Sequence, residues 1–190
     1  MSQRKVLLSM SITLDGYVAG PNDEMDWMKA SADEWNDLFK DLDESDTYLL
    51  GRKMYPGYSE YWQSVLKNAS TGKPDEVRFA KLADKTQHIV FTKADFKPDW
   101  KNTRVAHDAK EEIESLKKQP GKNIVAWGGA NFASTLLKLG LIDELRLVVN
   151  PTILSKGKSL FGNIDERINL ELIDTQLMKP GISVLRYKIK

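Results

Sequence analysis

The sequence predicts an α/β sandwich with a mainly parallel sheet and an antiparallel hairpin at its C-terminal edge. Three observations carry this. Strand and helix signals alternate along residues 6–149, the order of βαβ units. The strand segments at 123–127 and 145–149 are nearly unbroken apolar runs, as burial on both faces of a parallel sheet requires. The last two segments, 169–177 and 183–189, alternate apolar and polar residues about Pro180-Gly181, the pattern of a hairpin at a sheet edge.

The elements follow in order. Residues 6–12 (V-L-L-S-M-S-I) form a buried strand that runs into the turn pair Asp15-Gly16 and the loop Gly20-Pro21-Asn22-Asp23. Ser31 and Glu34 are spaced as a capping box. Trp35, Leu38, Phe39 and Leu42 then fall on one helical face. Residues 47–50 make a short strand ending at Gly51-Arg52. The aromatic stretch 56–74 lacks clean periodicity and reads as a short helix and a long loop. A helix follows over 75–84, with Pro74 suited to its first turn. Strands over 88–92 and 104–106 precede a second capping box, Asp108 with Glu111, and a helix that turns Ala109, Ile113 and Leu116 inward. The strand at 123–127 breaks at Gly128-Gly129. A helix over 131–139 is closed by Gly140, and the strand at 145–149 stops at Asn150-Pro151.

At 190 residues, 41% hydrophobic and 29% charged, the chain suits one domain spanning 1–190. It has no cysteine, which excludes disulfides, thiolate metal sites and a cysteine nucleophile. Net charge is +1 with the signs interleaved, unlike the basic face of a nucleic-acid binder. No apolar run approaches a membrane span, and no signal-type segment opens the chain. A cytoplasmic protein is expected. The two histidines, His88 and His107, have no carboxylates at metal-ligand spacing.

Three segments could carry chemistry. In I-V-A-W-G-G-A-N-F-A-S, from Ile124 to Ser134, a buried strand meets two glycines and a helix starts at once. Free N–H groups at a helix start attract anions, and glycine lets a phosphate approach the backbone. The same glycines would also serve a plain tight turn. The spacing is not the dinucleotide fingerprint G-x-G-x-x-G. In T-Y-L-L-G-R-K-M-Y, Arg52 and Lys53 follow a strand's carboxyl end, where α/β sheets gather ligands, and Lys93 does so one strand later. Two cationic strand ends suit a phosphate monoester such as the 2′-phosphate of NADPH; solvated side chains at loop starts are the plainer alternative. The third segment, S-I-T-L-D-G-Y-V-A-G from Ser11 to Gly20, is a glycine-bounded candidate lid.

Taken in this order, S-x-x-L-D-G-x-V-A-G at Ser11 to Gly20, L-L-G-R at Leu49 to Arg52, W-G-G-A at Trp127 to Ala130 and I-D-E-L-R-L at Ile142 to Leu147 give the whole chain a resemblance. It resembles the dihydrofolate-reductase-like superfamily, and within it the bacterial branch that shares the reductase domain of the riboflavin-biosynthesis deaminase-reductase. The resemblance implies a three-layer α/β/α sandwich, a homodimer, and hydride transfer from NADPH to a small heterocyclic substrate. It implies that Gly128, Gly129, Ala130 and Asn131 contact the pyrophosphate, and that Gly51, Arg52, Lys53, Thr92 and Lys93 hold the adenosine phosphate. Thr13, Asp15 and Ala19 would lie along the nicotinamide-side loop. It also implies a cis peptide between Gly128 and Gly129. Trp27 and Tyr55 become candidate pocket walls, and Asp33 and Asp37 candidate proton donors. Asp33, Asp37 and Asp41 share a face by i, i+4 spacing; a solvated charged face is the plainer expectation for most of them. Two departures bear on the substrate. Folate reductases carry Thr where this chain has Val148, which weighs against pterin reduction. M-Y-P-G-Y-S-E-Y-W at Met54 to Trp62 replaces the D-D-P-x-L of riboflavin-pathway reductases. A non-catalytic nucleotide-binding module on the same fold is the alternative, and a flavin enzyme a weaker one.

Overall fold

A computed structural model describes residues 3–29 and 31–190. The elements run β1 (Val6–Thr13), β2 (Tyr17–Ala19), α1 (Ala32–Asp43), β3 (Ser45–Gly51), α2 (Tyr55–Lys67), α3 (Pro74–Lys85), β4 (Gln87–Phe91) and β5 (Thr103–Ala106). After these come α4 (Ala109–Lys118), β6 (Asn123–Gly128), α5 (Ala130–Lys138), β7 (Glu144–Asn150), β8 (Lys158–Ser159), β9 (Leu170–Met178) and β10 (Ile182–Ile189). Eight strands form one sheet in the order β5-β4-β3-β6-β1-β7-β10-β9, and β2 pairs with β8 in a small second sheet. From β5 to β7 every pairing is parallel. β10 and β9 add antiparallel at the β7 side, so the predicted hairpin closes one edge.

Alternation along each central strand splits the core into two layers. Val6, Leu8, Met10 and Ile12 of β1 and Ile124 and Ala126 of β6 face α4 and α5, where Ile113, Leu116, Ala133 and Leu136 complete the packing. Tyr48 and Leu50 of β3 and Val125 of β6 point to the opposite face, against Leu38 and Phe39 of α1, Tyr55 of α2 and Phe79 of α3. The result is a three-layer α/β/α sandwich. Arg4 bolts its lower end by donating to the Lys122 carbonyl at 2.6 Å and to Thr47 Oγ1 at 2.9 Å, beside an ion pair with Asp46.

Local rules explain most boundaries. Asp108 caps α4 through the Glu111 N–H at 2.9 Å, and Gly140 ends α5 at φ +64°, a conformation glycine adopts without penalty. At Ser31 the capping box fails: α1 begins there without a side-chain cap. The largest correction is α2, a full helix of 13 residues where a short helix and a long loop were expected. Tyr58, Trp62 and Leu66 recur every four residues and pack against the aromatic layer, a helical face built from rings rather than aliphatics. Pro56 sits in its first turn, where a missing N–H costs nothing.

Candidate active site at the strand ends

The carboxyl ends of β3, β6, β1 and β7 lie side by side in that order. Two glycines let the backbones converge there. A Cβ on Gly128, which sits at φ +91°, would lie 2.6 Å from Met10 Sδ. A Cβ on Gly51 would lie 2.9 Å from Phe132 Cβ, so α5 can start close over β3. Phe132 in turn stacks on Phe91 at 5.1 Å. The Gly128-Gly129 peptide is cis, as the resemblance implies. Gly129 is the N-cap of α5, and a Cβ there would meet nothing nearer than Met54 at 3.9 Å. The backbone is therefore open on that side. The first N–H groups of α5, at Ala130 and Asn131 among them, have no carbonyl within their own helix to bond, so this helix start presents the kind of donors an anion needs.

Cations stand at the neighbouring ends. Arg52 and Lys53 are exposed just past β3, and the Arg52 N–H reaches the Phe91 carbonyl at 3.3 Å. Past β4, Lys93 is exposed; Thr92 bonds the Ala94 N–H through its hydroxyl at 3.1 Å, and its carbonyl lies 2.7 Å from His107 Nδ1. Gly51 pairs with Phe91 in register, so these side chains issue from adjacent strand ends.

On the other side, Thr13 of β1 pairs with Asn150 of β7. The buried Thr13 hydroxyl donates to Asp15 at 2.6 Å and accepts from the Tyr17 N–H at 3.0 Å. Asp15 also accepts from the N–H groups of Leu154 and Ser155, at 3.2 and 2.8 Å. The Thr13 hydroxyl bond leads in holding its carboxyl below the usual range, although the group is exposed. The glycine-bounded segment is therefore fastened. β2 pairs with β8, and a Cβ on Gly157 would overlap the Ala19 carbonyl, so only glycine fits that crossing. Trp27 is buried with its indole N–H unpartnered, and two residues on, the Lys29 N–H bonds the fully buried Asn150 side chain at 2.9 Å.

The acidic face of α1 departs most from expectation. Asp37 is buried and lies against the sheet. Its Oδ2 accepts from Arg146 Nε at 3.0 Å and from Arg186 Nη2 at 2.9 Å, and its Oδ1 from Gln176 at 3.2 Å. Arg186 reaches Asp41 with both Nη atoms, at 2.9 and 2.8 Å, and Arg146 reaches Glu34 at 3.1 Å and Ser9 at 3.3 Å. Burial pushes the Asp37 carboxyl up, but the two guanidiniums outweigh it and hold it below the usual range. A carboxylate so paired has no proton to give near neutral pH. Asp33 is exposed in the first turn of the same helix. The expected solvated face is thus, at Asp37 and Asp41, an ion-paired seam between α1 and strands β7 and β10.

A family model of the RibD C-terminal domain matches residues 4–184. The chain belongs to that family. A Bacillus subtilis relative, the uncharacterized protein YyaP, is 35% identical over 188 residues, 98% of this chain and 96% of its own. Among solved structures, dihydrofolate reductase from Enterococcus faecalis, complexed with NADP(H), is similar at a TM-score of 0.64 and 15% identity, over 99% of this chain and 98% of that one. The deaminase/5-amino-6-(5-phosphoribosylamino)uracil reductase of Thermotoga maritima gives 0.65 and 15%, over 99% of this chain and 57% of that one. The RibD C-terminal domain is thus a reductase-like fold shared with dihydrofolate reductase.

Within this RibD-type domain the candidate pocket walls sit on different elements. Lys29, two residues past Trp27, is tied to Asn150 at the β7 end of the row. Tyr55 starts α2 beyond β3, three strand spacings or roughly 14 Å away along the sheet. Tyr55 is 1% exposed, and its hydroxyl donates to Asp99 at 2.9 Å while accepting from the Trp100 N–H at 3.1 Å. Ser59 and Gln63 also donate to Asp99. A groove of about 630 Å³ opens over this cluster, between α2 and Phe96. Sequence reasoning missed Arg146 and Arg186. The available signal was an arginine at an inward position of an otherwise apolar strand, L-R-L in β7, because such a charge is buried only with partners.

Proposed function

We propose that this protein is an NADPH-dependent reductase acting on a small heterocyclic acceptor, of the class handled by 5-amino-6-(5-phosphoribosylamino)uracil reductase. The observation that carries the reading is the opening at Gly129 and the free N–H groups at the start of α5, beside the end of the neighbouring strand β3, after which Arg52 and Lys53 are exposed. Those residues fit a dinucleotide. The helix start and Gly129 suit its pyrophosphate, and Arg52, Lys53, Thr92 and Lys93 suit a terminal phosphate monoester. Bound NADPH supplies a hydride to an electrophilic carbon. Thr13, Asp15 and Ala19 shape the loop at the end of β1. Asn150 holds the Lys29 backbone on the β7 side, and the buried indole N–H of Trp27 has no partner of its own. Asp37 stays ionised and contributes position rather than a proton.

One observation favours a second reading. With Asp37 locked between two arginines, a carboxylic acid donor is missing from that turn of α1, as a nucleotide-binding module without turnover would allow. Binding and turnover measured together decide between them. The reductase reading expects NADPH to bind at least tenfold tighter than NADH and Arg52→Ala to abolish that preference, with NADPH oxidised in the presence of a pyrimidine-type acceptor. Equal affinity for the two nucleotides defeats the phosphate assignment. NADPH binding without turnover on pterin, uracil-type and quinone acceptors favours the module.

A further inference from the structure

The two core layers differ in kind. Against α4 and α5 the sheet packs mainly on aliphatic side chains, with no tryptophan among the described residues. Against α1, α2 and α3 it packs on rings: four of the chain's five tryptophans, Trp35, Trp62, Trp100 and Trp127, lie in that layer. Filling a core to the right volume does not require rings on one side only, so the segregation calls for a reason.

The rings form a connected path. Trp127, directly before Gly128 at the candidate active site, meets Tyr48 edge-on at 5.5 Å between ring centroids. Tyr48 meets His88 at 5.4 Å, and His88 meets Tyr58 at 5.5 Å. Tyr58 meets Trp62 at 6.4 Å, and Trp62 meets Tyr61 at 4.8 Å. Tyr61 is 50% exposed. The path therefore runs from the end of β6 to the surface of α2, with each ring in the range of direct aromatic contact with the next.

One step on it is suited to moving a proton. Tyr58 Oη lies 2.9 Å from His88 Nε2. Burial pushes the Tyr58 phenol well above its ordinary value and lowers the His88 imidazole to about 4, so both are uncharged at neutral pH. The tautomer with the ring proton on Nδ1 gives the buried phenol its acceptor, so Tyr58 donates and Nε2 accepts. Tyr48 differs. Its hydroxyl is buried with no partner, so its ring can pass an electron but has no base to take its proton. Tyr55 has a carboxylate partner in Asp99, but its ring meets Phe96, off the path.

We propose that this path is an electron relay that draws an oxidising equivalent away from the active-site end of β6, with Tyr58 as its resting place and His88 as its base. The oxidant is a one-electron acceptor of the oxygen-radical class arising at that end. Trp127 gives it one electron, and an electron from Tyr58 refills Trp127 by way of Tyr48. As that electron leaves, the phenolic proton of Tyr58 passes to His88 Nε2, leaving a neutral phenoxyl radical beside an imidazolium. A soluble thiolate at Tyr61 supplies the electron that returns through Trp62 to Tyr58, becoming a thiyl radical, and the proton moves back from His88. The relay holds whether the site turns over or only binds a nucleotide.

The chain has no cysteine, so Glu60→Cys, exposed beside Tyr61, gives a single attachment point for a ruthenium polypyridyl photo-oxidant. Flash oxidation should yield a neutral tyrosyl radical, seen by transient absorption and electron paramagnetic resonance. Tyr58→Phe should cut its yield at least tenfold, and Trp62→Phe should slow its appearance at least tenfold. His88→Gln should also cut the yield at least tenfold; Tyr58→Phe, which removes only a hydroxyl, decides the matter should His88→Gln fold poorly. Under photogenerated peroxyl radicals with a thiol present, mass spectrometry should find Trp127 oxidised at least tenfold faster in Tyr58→Phe than in the unaltered chain. A radical confined to Tyr61 and unchanged in Tyr58→Phe overturns the proposal. So does a Tyr58 radical that forms equally well in His88→Gln, or Trp127 oxidation that is the same in both chains.

Discussion

Asp37 of α1 and Arg146 of β7 meet at 3.0 Å in the buried layer between helix and sheet, the arginine 1% and the aspartate 2% exposed. Arg186 completes the contact from β10. Glu34 and Asp41 share these arginines at 2.8–3.6 Å, but Asp37 is the most deeply buried of the three carboxylates, so its pairing fixes where α1 sits over the sheet. Asp37→Asn should destabilise the fold by about 1–3 kcal/mol, the cost of a lost buried charge-assisted bond whose cationic partners keep other carboxylates. Chemical denaturation measures it. Should Asp37 instead act as proton donor, the asparagine variant would stay near full stability and lose turnover with a changed pH profile.

The same carboxylate makes an acid-limb prediction. Its folded pKa is depressed, so its contribution to stability is complete above the unfolded carboxylate pKa of about 3.9 and fades as pH falls through the folded value. His88 acts in a higher window. It is fully buried, bonded to the Tyr58 hydroxyl at 2.9 Å and stacked on Trp100, and burial lowers its pKa from 6.5 to about 4. Below pH 6.5 the unfolded chain takes up a proton that the folded chain refuses until about pH 4. Stability therefore falls with falling pH across that window, by up to about 3 kcal/mol. Unfolding free energies measured from pH 7 to 4 should show this slope, and His88→Gln should flatten it. An unchanged slope would assign the acid sensitivity to other groups.

The two glycines of the strand-to-helix turn should separate folding from binding. Gly128→Ala forces a Cβ to 2.6 Å from Met10 Sδ at φ +91°, so it should cost stability on the order of 1–3 kcal/mol. Gly129→Ala meets only Met54 Cβ at 3.9 Å, an ordinary van der Waals contact. It should leave the melting temperature unchanged while weakening NADPH at least tenfold, because the added methyl occupies the face offered to phosphate. Comparing melting temperature with nucleotide affinity for both variants gives the result. A Gly129→Ala protein that binds NADPH normally would move the pyrophosphate elsewhere.

These cases also show what a sequence can carry. The Gly-Gly turn and the cationic strand ends were legible because each is a local signature, read from a few adjacent residues. The parallel sheet and its antiparallel hairpin were legible from periodicity. Helix α2 was misjudged because its half-buried stripe, Tyr58, Trp62 and Leu66, is largely aromatic and preceded by Pro56-Gly57, which reads as loop. The partners of Asp37 were not legible at all. Arg146 is 109 residues away in the chain, and only the sheet order brings it beneath α1. Asp15 was read as a cofactor neighbour, but the backbone it holds lies about 140 residues on.

That last arrangement makes a dynamic prediction. Asp15 joins the Thr13 hydroxyl to the N–H groups of Leu154 and Ser155, and β2–β8 pairing continues the connection to Ser159. Asp15→Asn replaces one accepting oxygen with an N–H donor, so one of the two backbone donors loses its acceptor. The carboxylate is exposed, and global stability should change little. Local opening should change more, because Asp15 holds the two adjacent N–H groups of Leu154 and Ser155, between the Leu14–Thr152 bond and the β2–β8 pairing. Hydrogen exchange at the Ser155 and Tyr17 amides should accelerate at least tenfold, while amides of β6 keep their protection. If the site works as proposed, NADPH should slow the exchange again, since a bound cofactor would favour the fastened loop. Exchange at Ser155 that is the same in both proteins would show that the β2–β8 pairing and the Leu14–Thr152 and Tyr17–Ser155 bonds secure the loop without Asp15.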